Sequence, residues 1–429
     1  MRQRQRHTLN ILITGLLLLA AASVSAEPRI DGFLQALYGG NVDGNNPTAT
    51  DFTASEARLQ LRAEHFGDAS EFFGRLDFVY DGSDSVKYDW ELREGYLKFR
   101  LGSHFDLKVG RQILTWGTGD LIFINDLFAK DYRSFLVGRD DQYLKAPHNA
   151  LRIEYYSGLG GLTVVYTPRF TPNRLPTGER LSYYNGFAGG IVGTAMGPEY
   201  YFDPGLPAPE FRNGEVAARF HRTVAGFNTS LYAYHGFYKN PMAANIVMVG
   251  DEMYAVPYYP KLNVYGASLR GTAFGGILWL EGGYYDSRED PDGDEALIPN
   301  SSVTGMVGFE RQVATNLTAN LQWQVDYMLD YDTFEAQQMP GVFIRDEYRH
   351  LLTSRITKLA MDENLTLSAF GFYSPSDEDA YIRLSAGYKY SDEVNITVGG
   401  NVFTGRHENT EYGQFQKNDN AYLKLTYGF

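Results

Sequence analysis

From Glu56 to Glu64 the side chains alternate one by one: Ala57, Leu59, Leu61 and Ala63 on one face, Glu56, Arg58, Gln60, Arg62 and Glu64 on the other. A helix would smear those charges around its circumference, whereas a strand sorts them. Leu317 to Met328 repeats the pattern, with Leu317, Ala319, Leu321, Trp323, Val325 and Tyr327 opposite Thr318, Asn320, Gln322, Gln324 and Asp326. Tyr381 to Tyr390 does the same, setting Ile382, Leu384, Ala386 and Tyr388 against Arg383, Ser385, Gly387 and Lys389. Read along the whole chain, such dyads predict strands near 32–40, 56–64, 72–81, 91–101, 105–112, 150–156, 161–168, 214–221, 226–238, 261–270, 276–285, 302–310, 317–328, 349–358, 365–373, 381–390, 395–403 and 420–429. The total is about eighteen, with sixteen as the alternative.

Alternation alone does not separate a soluble sandwich from a barrel in lipid, but the connections do. Short ones (65–71, 102–104, 157–160, 222–225, 271–275, 311–316, 359–364, 391–394) take turns with longer ones (41–55, 82–90, 113–149, 169–213, 239–260, 286–301, 329–348, 374–380, 404–419). That rhythm belongs to transmembrane antiparallel β-barrels, with short turns on the periplasmic side and long loops outside. A sandwich has no reason to keep it. The mean hydropathy of −0.32 fits as well, because a barrel with a polar lumen averages its two faces. The fold class expected is therefore all-β, with 45 glycines, 32 tyrosines and 27 phenylalanines supporting strands over helices.

The chain opens with Arg2, Arg4 and Arg6, an apolar run from Ile11 to Ala22, and the small residues Ser23 to Ala26. This predicts a secretory signal peptide over residues 1–26, the run being too short to span a bilayer as a helix, which needs ~20 residues. Residues 27–429 would then be the barrel. Without the first 26 residues, 35 basic side chains stand against 52 acidic ones, a net charge of −17 that does not invite nucleic acid. The last strand ends on Phe429, with Ala421, Leu423, Leu425 and Tyr427 at alternate positions before it. This resembles the C-terminal signature that bacterial outer-membrane proteins present to their assembly machinery, which makes Tyr427 and Phe429 its expected bearers. Expected surroundings are the Gram-negative outer membrane, its lipid and lipopolysaccharide.

Gly110, Arg111 and Gln112, followed by Trp116 and Gly117 where a strand runs into a long loop, resemble a motif of bacterial porin-like barrels, including the alginate-export group and related families. The resemblance implies an eighteen-stranded monomeric barrel whose lumen is constricted by an inward-folded loop. The alginate-export group further implies a strongly basic lumen.

The loop at 113–149 is the first functional candidate. Its stretch from Trp116 to Phe128 is too apolar to lie in water, so the barrel interior is the place expected to bury it. Trp116, Asp120, Phe123, Asn125, Asp126 and Phe128 are the expected constriction residues. The loop from Thr171 to Arg212 is the second candidate. If the polar strand faces are lumenal, Arg58, Arg62, Arg75, Lys98, Arg100, Arg355, Arg383, Lys389 and Lys424 form a basic pore lining, enriched in the late strands. Such charge filters solutes and would favour anions. Alternatively, each base pairs with an acid across the strands and keeps the lumen satisfied. Asp290, Asp292 and Asp294 look like part of a calcium loop, but position 301, where the bidentate Glu belongs, is Ser. Catalysis finds no constellation: the histidines after residue 26 are scattered, and none has a Ser two positions away. With no cysteine there is no disulfide or thiolate site. The expected function is a channel for small hydrophilic solutes, without cofactor. A polysaccharide-export barrel and a structural or adhesive barrel are the alternatives.

Overall fold

The computed structural model describes residues 29–186, 188–197, 204–249, 251–338 and 343–429. The expected signal peptide lies outside the described residues. Eighteen strands form one antiparallel sheet from Arg29–Asn41 to Asn420–Gly428, each paired with the next along the chain. The last strand then pairs with the first, Phe33 opposite Gly428 through to Asn41 opposite Asn420. Beyond that ladder, Gly32 and Phe429 exchange backbone hydrogen bonds of 3.0 and 3.1 Å. The ring has no free edge, which is the condition for placing strands in hydrocarbon.

Its two faces separate as the dyads require. Along the last strand Ala421, Leu423, Leu425 and Tyr427 are exposed outward, whereas Asn420, Tyr422 and Lys424 are buried inside. Leu34, Leu321, Trp323, Ile382 and Leu384 likewise stand outside, and Gln35, Glu56, Arg58, Asp77 and Gln322 lie buried within. The outward apolar surface is large because lipid, not protein, is its expected solvent.

One end of the barrel carries tight turns. Ala225-Gly226 and Phe274-Gly275 each close a hairpin with both residues at positive φ (+50° and +85°; +52° and +74°). That is the type I′ geometry whose twist matches the flanking strands. The other end carries the long connections at 114–146, 168–214, 238–260, 288–301, 329–347 and 406–419, although residues 375–378 make a short one there too. Inside these connections are elements that the dyads did not reveal. Ala243–Val249 pairs with Glu252–Tyr258, Tyr183–Asn185 pairs with Gly190–Val192, and short helices span Tyr132–Leu136 and Tyr331–Ala336. Ala243–Val249 is a nearly unbroken apolar run and its partner contains Pro257, so neither shows a clean period of two. The largest buried apolar cluster joins Ile122, Ile124, Phe135 and Leu136 of the 114–146 connection to Trp279, Phe372, Tyr381 and Phe403 of the wall.

Candidate functional site

Residues 114–146 leave the strand Phe105–Ile113 and return as the adjacent strand Pro147–Ser157. Between those ends their polar atoms bond to strands all around the ring. Glu281 accepts four hydrogen bonds: from Thr118 N (2.6 Å), Thr118 Oγ1 (2.8 Å), Asn125 N (2.9 Å) and Asn125 Nδ2 (3.0 Å). Gln322 holds the backbone of Asp120 from both sides, accepting from its N–H at 2.7 Å and donating to its carbonyl at 2.8 Å. Arg355 donates twice to the Asp120 carboxylate, at 2.7 and 2.9 Å. Such a forked pair fixes direction as well as distance.

Asp141 takes Arg383, two strands beyond Arg355, at 2.5 Å, and on the far side of the ring from Glu281 Arg139 meets Glu56 at 2.6 Å while Asp140 takes Lys424 and, at 2.9 Å, Gln35. The ring of Tyr143 lies under the guanidiniums of Arg58 (4.2 Å) and Arg93 (4.9 Å). A segment bonded to opposite walls crosses the lumen. Burial disfavours the Asp140 carboxylate, yet Lys424 and Gln35 more than offset it, so its pKa stays below the ordinary value. For Lys130 burial wins, pulling the ammonium below its ordinary value although Asp126 sits 2.9 Å away.

The local conformation follows from sequence. Gly117 adopts φ +79°, and a Cβ there would come within 2.9 Å of the Glu281 carboxylate that the turn approaches. Asp131 caps the helix Tyr132–Leu136 by accepting from Ser134 N. Gly110 has φ +129°, and a Cβ would meet the Gly95 carbonyl at 2.3 Å. That irregular step lets Arg111 reach Glu91 (3.7 Å) and the Leu92 carbonyl.

No family model matches the chain, and no curated protein does. Among solved structures, OccAB4 of Acinetobacter baumannii is 10% identical and superposes with a TM-score of 0.55, covering 94% of this chain and 98% of its own. OccK11 (OpdR) of Pseudomonas aeruginosa is also 10% identical, with a TM-score of 0.51 over 94% and 96%. The fold is that of the outer-membrane porins.

Within this porin fold the expected constriction residues share one segment. Trp116 packs edge-on against Phe128 (5.1 Å), Asp126 pairs with Lys130 and accepts from Thr115 Oγ1, and Phe123 lies under Lys130 (4.5 Å). The expected basic lining is not a free positive wall. Arg58 pairs with Glu56 and Asp77, Arg62 with Asp31, Arg75 with Glu94, and Lys98 with Asp106, while Arg355, Arg383 and Lys424 hold the loop acids. Lys389 pairs with Asp392 at the short-turn end, where Arg100 is exposed. Asp290 accepts from Asp294 N, and among the described residues no group of three such side chains is placed to hold a metal ion.

Some anchors escaped the dyad reading. A register shift opposite Arg75 and Leu76 turns both Arg93 and Glu94 inward, where strict alternation allows only one. Glu91, also inward, holds Arg174 of the 168–214 connection. Glu281 shares its face with buried Trp279, whose Nε1 donates to Gln322, so polarity did not mark that face as lumenal.

Proposed function

We propose that the chain is an outer-membrane channel for small hydrophilic solutes, narrowed by residues 114–146, with the long connections facing outward. The observation that carries this reading is the crossing segment itself. Eighteen strands enclose an aqueous lumen unless something fills it, and this segment is bonded from Glu281 on one wall to Lys424 on another. In planar bilayers the purified barrel is expected to give discrete conductance steps; their absence would mean a plugged barrel. A cysteine placed at Asp292 should label from outside intact cells and one at Ala69 should not; the reverse pattern would overturn the orientation.

Ion pairing makes the preference for anions small. Each lumenal base tied to a carboxylate contributes little net field to a passing ion, beyond a screening length of about 8 Å at physiological salt. Exchanging Arg355 and Arg383 for Glu sets like charges against Asp120 and Asp141. The reversal potential should then move toward cations while conductance rises, because the same two residues hold the segment. A shift in selectivity with conductance unchanged would show that they line the pore without anchoring anything.

A further inference from the structure

Above the crossing segment, toward the long connections, lies a cavity of about 350 Å³. Phe123, Tyr132, Phe135, Phe372, Tyr412 and Phe415 line it. The rings brace one another: Phe372 meets Phe135 edge-on at 6.3 Å and lies 5.3 Å from Tyr412, and Phe403 behind them is 5.8 Å from Phe415. This is a preformed aromatic wall in a polar lumen, within the size range of small-molecule pockets. An apolar cavity of ~150 Å³ accommodates benzene, so this one has room for about two fused rings.

The charges around it lean one way. Arg349 reaches Asp377 (2.5 Å), Glu411 Oε2 (2.6 Å) and Asp326 (3.5 Å), and Arg345 adds a second guanidinium at 3.4 Å from Asp326. Arg349 and Glu411 line the cavity itself, and Asp377 and Asp326 stand behind Arg349, so three carboxylates surround two guanidiniums there. Lys130 lies against Phe123 and Arg383 against Phe135, each paired with its own carboxylate, Asp126 and Asp141. A solute carboxylate would have to displace one of three acids already held by Arg349. A solute ammonium meets the opposite situation: Glu411 is half exposed at the rim, and aromatic faces attract cations.

We infer that this cavity binds amphipathic organic cations, one or two fused aromatic rings bearing an ammonium group, on their way to the constriction. Only the role in passage rests on the channel reading; the binding does not. The test titrates the detergent-purified full chain by calorimetry with 1-naphthylmethylammonium and with 1-naphthoate, and adds each to the channel in bilayers. The ammonium should bind roughly tenfold tighter than the carboxylate, the order expected for one ion contact plus cation–π contact, and should block current in proportion to its occupancy. Glu411→Gln, at a half-exposed loop position, should keep the heat-modifiable fold and the open conductance but lose most of that preference. Phe123→Ala should weaken both probes together. Equal affinity for the two probes, a preference untouched by Glu411→Gln, or a conducting barrel that binds neither would overturn the inference and leave the channel reading standing. Preferential binding without any conductance would support the cavity and overturn the channel.

Discussion

Replacing Leu121 to Phe128 with a glycine–serine run of equal length is expected to raise single-channel conductance by about twofold or more, since the narrowest section limits flow through a wide barrel. The replaced stretch holds the segment across the lumen in two ways. Ile122, Ile124 and Phe128 are buried against the wall, each contributing about 1.5–3 kcal/mol. Asn125 bonds to Glu281, and the Ile124 carbonyl accepts from Tyr285 at 2.5 Å. A glycine–serine chain supplies neither and samples a broad set of conformations. The strand ladders are untouched, so the barrel should still fold. Unchanged conductance would place the narrowest section elsewhere.

The second large effect is expected at Glu281. This buried carboxylate accepts from two backbone N–H groups and two side chains of the crossing segment. Glu281→Ala leaves the Thr118 and Asn125 amides without that acceptor, at about 1–3 kcal/mol for each buried group. The segment from Gly117 to Asn125 should loosen, seen as flickering current and as proteolytic cleavage there, with little change in barrel melting. Glu281→Gln keeps one acceptor oxygen and should fall between the two. A Glu281→Ala channel as quiet and as protease-resistant as the parent would remove Glu281 from its place as the hub.

The dyads located all eighteen strands because lipid outside and a polar lumen inside force a period of two on each of them. The last strand shows this cleanly, Leu423 and Leu425 outside and Lys424 between them inside. Alternation fails where one local event breaks the period. A single extra residue in the strand Tyr88–Leu101 turned Arg93 inward beside Glu94, and Trp279 hid the lumenal face of Glu281 by being apolar itself. The stretch from Trp116 to Phe128 stands out in composition as one too apolar for water, but the groups that hold it do not. Asp120 and Arg355 are 235 positions apart, and nothing local to either encodes the other. The same kind of separation hid the acids that tie Arg355, Arg383 and Lys424. Hairpins within the long connections were missed because, out of the bilayer, no pair of contrasting solvents imposes alternation on them.

Bonds from one connection to opposite walls have a mechanical consequence. A thin ring of strands resists stretching along its hydrogen bonds but bends easily into an ellipse under lateral pressure. Residues 114–146, tied at Glu281 and Arg355 on one flank and at Glu56 and Lys424 on the other, act as a spoke across that ring. Ovalisation must strain these ties before it can proceed, so the cross-section of the barrel and the posture of the crossing segment are one degree of freedom.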